Sequence, residues 1–178
     1  MGIKDQLQAI QTAHGASKEG MKQGAKVLAE AIAARLHVKP DEVAIMVLNT
    51  SGQTLLFVWP PPLFESGAAF PAAHKTAMAS TVLASLKGKV DNKLSESKHL
   101  KFYELVKGLE TSKLPIQKMV ALPLCFGDKK LGVVEVSRKG MTPEEAGPNF
   151  TPEDAQALVA LCKDAAPVLD QLLPDVLL

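Results

Sequence analysis

Between residues 116 and 154 the chain runs through an apolar strand pattern, Met119-Val-Ala-Leu-Pro-Leu124, and a polar turn, Phe126-Gly-Asp-Lys-Lys130. A second strand pattern follows, Leu131-Gly-Val-Val-Glu-Val-Ser137, with Arg138 and Lys139 at its end. Both runs are too apolar to stand in water, so the hairpin they predict is expected to be largely covered. A loop then leads to Asn149-Phe-Thr-Pro-Glu-Asp154. There Thr151 is placed as an N-cap, Pro152 takes the first helical position where no donor is missed, and Glu153 and Asp154 complement the helix dipole. Leu158, Leu161, Cys162, Ala165, Val168, Leu169 and Leu172 then form an apolar stripe, with Pro167 expected to bend the helix.

The remaining elements follow from periodicity and breakers. Ile3, Leu7, Ile10, Met21, Leu28, Ile32 and Leu36 fall near helical spacing across residues 3 to 37, and Gly15, Gly20 and Gly24 predict a break or bend near 15 to 20. The helix is expected to end before Pro40. Val43 to Leu48 and Thr54 to Trp59 read as a hairpin across the turn residues Asn49 to Gln53, and Pro60 to Pro62 stop its second strand. The stretch from there to Pro71 reads as an irregular loop. Lys75 to Leu86 reads as a helix with a stop at Gly88, Lys89 to Asn92 as a short edge strand, and Ser95 to Lys107 as a further helix. This order predicts one antiparallel sheet with helices packed on it, an α+β fold.

Composition narrows the class. A chain of 178 residues with 47% hydrophobic residues and a net charge of +1 is long enough for one substantial core. No apolar stretch approaches the roughly 18 residues needed to span a bilayer, and the first residues have no apolar signal region, so a cytoplasmic protein is expected. The start superficially suggests a myristoylation site, but Gln6 stands where Ser or Thr is wanted. Residues 87 to 130 carry ten Lys against five acids, whereas residues 141 to 178 carry one Lys against seven. The lysines are scattered among few aromatics, which argues against nucleic acid as a partner. Solvated faces and an anion-attracting rim over a pocket both remain open.

The residues from 116 to 158 resemble the closing half of a GAF domain, a small-molecule-sensing module of bacterial signalling proteins and cyclic-nucleotide phosphodiesterases, and the resemblance extends over roughly residues 24 to 172. It implies a GAF-like, PAS-related antiparallel sheet. The N- and C-terminal helices lie on one face and pocket-covering helices on the other, with residues 1 to 20 as a helical extension and 21 to 178 as the domain. In nucleotide-binding members an Asn-Lys pair ends the last strand, and a Phe, three residues and then Asp-Glu open the final helix. Lys139, Phe150 and Asp154 match, while Arg138 and Ala155 depart. The match therefore implies a structural clasp, with a Lys139–Asp154 ion pair across the loop, and does not imply a cyclic nucleotide.

Other segments fit in order, with Ala69-Phe-Pro71 leading into the pocket helix and Lys118 to Leu124 lining the pocket. By that resemblance Trp59, Phe70, Asn92, Phe102, Tyr103, Met119, Ala121 and Glu135 surround a small planar or anionic ligand. Each has a plainer alternative: core for the aromatics and Met119, a turn cap for Asn92, an edge or solvent-facing position for Glu135. Glu135 is the hardest to dismiss, because it interrupts an otherwise apolar strand.

Catalysis finds little support. There is no Gly-rich phosphate loop, no HExxH and no GxSxG, and His14, His37, His74 and His99 show no ligand spacing. Of these only His74, near Pro71, is a candidate for testing. Cys125 and Cys162 lie far apart without a CxxC, so no metal site, disulfide framework or cofactor is expected, and both read as buried apolar residues. Some GAF proteins reduce free methionine sulfoxide with grouped cysteines, and the number and placement here do not suit that chemistry. A non-catalytic sensor is expected, with an interaction scaffold whose pocket is filled by its own side chains as the alternative. Its signal is expected to leave through a protein partner. A homodimer is expected through the terminal helices, whose apolar residues Val168 to Leu178 run past the end of a GAF core; packing of those helices on each other within one subunit is the alternative.

Overall fold

The computed structural model describes residues 1–96 and 114–177. Two helices open the chain, α1 (Ile3–His14) and α2 (Lys18–Leu36). The break between them is as the glycine spacing predicts: Gly15 adopts a positive φ of 56°, and Ser17 caps α2 by accepting the Gly20 N–H at 3.0 Å. A 3-10 turn, Pro40–Glu42, leads into β1 (Val43–Leu48) and β2 (Thr54–Trp59). Asn49 closes that hairpin, its side-chain oxygen accepting the backbone N–H groups of Gln53 and Thr54, both at 3.0 Å.

The stretch expected to be irregular is ordered, as α3 (Pro61–Glu65) and β3 (Ala69–Pro71). The prolines that end β2 also fix φ for a helical first turn, which the reading of them as plain breakers overlooked. Next come α4 (Met78–Ser85), β4 (Lys89–Asp91), β5 (Ile116–Phe126), β6 (Lys129–Lys139) and α5 (Pro152–Leu172). Helix α4 stops at Leu86, which takes the left-handed conformation at φ 54°. Gly88 is not that stop. Its role is close approach, since a Cβ there would lie 2.3 Å from Leu122 Cδ2. Of the helix expected from Ser95 onward, Leu94–Glu96 form a 3-10 turn and the rest lies outside the described residues.

The strands form one antiparallel sheet of order β3-β2-β1-β6-β5-β4, so β1 and β6 lie at its centre and β5 pairs with β6 along the long hairpin. Two cores flank it. On one face α1, α2 and α5 bury Leu7, Met21, Leu28, Ile32, Leu158, Leu169 and Leu172 against Ile45, Val120, Val134 and Val136. On the other, α4 buries Met78, Val82 and Leu83 against Met46, Phe57, Met119 and Val133. The expected α+β architecture and its division of helices between faces are therefore as observed. Helix α3 sits at the join, sending Leu63 to one core and Phe64 to the other.

The terminal helices pack within one subunit. Leu7, Met21, Leu28 and Leu172 are each 0% exposed, and Leu177 folds back into the same core. The open apolar seam on which the expected dimer rested is thus closed inside the chain, and of its distal residues Val176 stays exposed. The reason is close packing of helix on helix: Gly24 lets α5 approach so far that a Cβ there would meet Leu172 Cδ1 at 2.6 Å.

Candidate functional site

Side chains alternate along β5 and β6, which sorts the sequence-derived candidates by face. Phe70, Met119, Ala121 and Glu135 all belong to the α4 side. Glu135 is 2% exposed, in the interior of β6, and pairs across the sheet with Ala44 on one side and Ala121 on the other. It is neither an edge nor a solvent-facing residue. Both cross-strand neighbours are small, and Met46, Met119 and Ser137 lie further along the same face. Phe70 packs on Phe57 with ring centroids 5.9 Å apart. Phe102 and Tyr103 lie outside the described residues.

Trp59 departs from the expectation. Simple alternation from Leu55 and Phe57 puts it on the α4 face, but the β1–β2 register shifts between Ile45 and Met46, which pair with Trp59 and Phe57. The extra residue, Val58, turns Trp59 to the terminal-helix face, where its indole N–H donates to the Pro40 carbonyl at 2.8 Å. A bulge carries no signature in a run as uniformly apolar as Thr54 to Trp59.

Asn92 serves the loop before α5. Its amide donates to the Phe150 carbonyl at 3.0 Å, and its carbonyl accepts the Phe150 N–H at 2.8 Å. We expect Asn92→Ala to cost about 2 kcal/mol, the sum of two such bonds, read as a lower urea midpoint. Asn92→Asp keeps the acceptor and should recover part of the loss.

The clasp at the end of β6 exists with different members. Among the described residues no Lys139–Asp154 ion pair forms; the ion pairs there are Lys4–Asp164, Lys22–Glu65, Lys26–Glu30 and Lys129–Asp170. Asp154 closes a capping box instead, accepting the Thr151 N–H at 2.9 Å while Thr151 accepts that of Asp154 at 3.2 Å. Lys139 is held through its backbone N–H, which donates to Glu42 Oε1 at 2.9 Å. The residue that departs from the nucleotide-binding pattern makes the tie. Arg138 stacks on Phe150, 4.7 Å from the ring centroid, and donates to the carbonyls of Leu36 at 3.0 Å and His37 at 3.3 Å. Its cation thereby sits at the negative C-terminal end of α2.

His74 shapes its own turn, Nδ1 accepting the Thr76 N–H at 3.2 Å, and meets Phe70 edge-on. Cys125 and Cys162 line one groove of about 290 Å³ beside α5, together with Leu122, Pro123 and Val159. Burial pushes the Cys162 thiol up to about 12; it also raises Cys125, with Lys130 opposing. The thiolate is the nucleophile, so a raised pKa lowers reactivity at neutral pH. In the native protein, iodoacetamide should label Cys125 at a rate that climbs with pH and leave Cys162 unlabelled until the fold is opened, as mass spectrometry will read. Among the described residues no His, Cys, Asp and Glu cluster is arranged to hold a metal, and no helix is long and apolar enough to cross a membrane.

No protein-family model and no curated protein matches this sequence. Solved structures do match. A methyl-accepting chemotaxis protein (residues 122 to 287) superposes with a TM-score of 0.68 at 13% identity, covering 96% of each chain. The GAF domain of an Acinetobacter phosphoenolpyruvate-protein phosphotransferase gives 0.61 at 16% identity, over 96% of this chain and 94% of that one. A type II free methionine-R-sulfoxide reductase from Thermoplasma acidophilum gives 0.57 at 13% identity, over 86% and 98%. With terminal helices on one face of a six-stranded antiparallel sheet, α4 on the other, and these superpositions along nearly the whole chain, this protein has the GAF fold.

Proposed function

We propose that the domain is a non-catalytic sensory module that holds a small molecule on the α4 face of its sheet, with Glu135 as the polar anchor. The observation behind this reading is the burial of Glu135 between Ala44 and Ala121, where an acidic side chain 2% exposed among apolar neighbours is uncommon and marks a candidate site. An acidic anchor favours a planar molecule that presents hydrogen-bond donors, rather than the anionic one also expected from the sequence. Phe70, Met119 and Ala121 supply the apolar wall. Sheet-borne side chains give such a site a rigid floor.

Reduction of methionine sulfoxide is disfavoured on the same grounds: Cys162 belongs to the terminal-helix core, across the sheet from Glu135, and both thiols are raised by burial. An interaction scaffold is the second reading, favoured by the contact of Phe57, Phe70, Met78 and Met119 within one core on that face. In either case the signal leaves by association with a second copy of the chain or another protein, through a surface other than the closed seam of α1, α2 and α5.

Differential scanning against a metabolite panel that includes cyclic nucleotides tests the proposal. A ligand at about 100 times its dissociation constant should stabilise the fold by about 2.7 kcal/mol. Glu135→Gln should abolish that shift while the protein still unfolds cooperatively. No shift with any compound, together with no small molecule co-purifying, would leave the scaffold standing.

A further inference from the structure

A second cavity, of about 290 Å³, lies at the β4 edge of the sheet beneath the loop from 140 to 149. Asn92, Lys93, Ser95, Glu96, Lys118, Glu144 and Asn149 are among the residues that line it, whereas none of Phe70, Met119, Ala121 and Glu135 does. Apart from Pro143 its lining residues are polar, and they include two lysines and two glutamates. It is therefore separate in place and chemistry from the face proposed above.

Lys118 is the unusual member. It is 6% exposed, on a sheet strand, directly opposite Arg138 in the β5–β6 register. Like charges at such a position repel, and a buried ammonium is ordinarily matched by a carboxylate. Arg138 commits both terminal nitrogens to helix-end carbonyls and stacks on the Phe150 ring, while its buried Nε has no hydrogen-bond partner among the described residues. Among the described residues the Lys118 ammonium donates to the Gly147 carbonyl and forms no ion pair. One neutral acceptor leaves two of its three N–H donors and its full charge for whatever enters the cavity.

We infer that this cavity is a binding site for a small zwitterion of the amino-acid type, its carboxylate on Lys118 and its ammonium facing Glu96 and Glu144. A carboxylate supplies the missing counter-charge and accepts the remaining donors. A bare dianion such as phosphate meets the two glutamates as well as the two lysines, whereas a molecule carrying one charge of each sign matches a lining that carries two of each. Asn92 links the cavity to the fold's interior, because the side chain that lines it also holds Phe150 at the start of α5. Occupancy thus bears on the loop that joins β6 to α5.

The test is a titration of the full chain, labelled with nitrogen-15, with pools of L-amino acids and separately with inorganic phosphate. Saturable shifts of the amides of Asn92, Ser95, Glu144 and Asn149 are expected with at least one amino acid and not with phosphate. Lys118→Gln should weaken that binding at least about tenfold, and Lys118→Arg should retain it. Lys93→Gln, which leaves the buried strand intact, should also weaken binding and serves if Lys118→Gln fails to fold. Three results would overturn the inference: no saturable shift with any amino acid, saturation by phosphate but by no amino acid, or equal affinity in the wild type, Lys93→Gln and Lys118→Gln. Lys118 would then be a tie for the Gly147 loop alone.

Discussion

Gly132→Ala is expected to be among the most damaging single substitutions in the chain, costing about 3 kcal/mol or more. Gly132 lies in β6 opposite Val47 of β1, and a Cβ there would stand 1.9 Å from the Met46 carbonyl oxygen, 2.8 Å from its carbon and 2.9 Å from Val47 Cα. All three are backbone atoms, so no rotamer change relieves the contact. Strand β1 has to move, and it carries Met46 into one core and Ile45 and Val47 into the other. Against a total stability of about 5–15 kcal/mol, such a loss removes roughly a fifth to more than half of the whole. Gly127→Ala makes a useful control. At φ 57° with open space around it, it should cost only about 1 kcal/mol of backbone strain. Urea unfolding followed by circular dichroism compares the two, and a Gly132→Ala midpoint equal to that of Gly127→Ala would mean that β1 and β6 do not approach so closely.

Arg138→Ala should cost about 3 kcal/mol, again as a fall in urea midpoint. Two carbonyls at the end of α2 lose their donor, and Phe150 loses the cation stacked on it. Arg138→Lys is expected to recover little, because a single ammonium cannot both reach the Leu36 and His37 carbonyls and lie flat on the ring. Asp154→Asn provides the contrast. If Lys139 and Asp154 carried the clasp, Asp154→Asn would be as damaging as Arg138→Ala; the capping box predicts a loss of about 1 kcal/mol.

The candidate site was legible in part. Glu135 stands out in sequence because a charge interrupts Val133-Val134 and Val136, and alternation alone places it with Met119 and Ala121. Trp59 was misplaced because a one-residue bulge inverts faces, and the bonds of Asn92 to the Phe150 backbone were hidden because that partner is 58 residues away. Arg138 looked like a mismatch to a family pattern, yet its guanidinium reaches carbonyls 101 and 102 residues distant. Lys118 gave no local signal at all. One lysine among ten in a basic stretch becomes distinctive only when the 140 to 149 loop covers it.

What the amino-acid order determined by itself is local. The hairpins, the break at Gly15 and the capped start of α5 are written in nearest-neighbour chemistry, in periods of two and 3.6 residues, in positive-φ glycines and in side chains that bond the backbone three residues on. The apolar stripes of α1, α2 and α5 were equally plain, but whether they close on each other or on a second chain was not. Hydrophobic burial is non-directional, so a stripe states that it must be covered and not by what. Tertiary structure decided that, through the close approach of α5 at Gly24, and it decided which charges lie buried together, because burial is a property of the finished packing and not of any residue in the row.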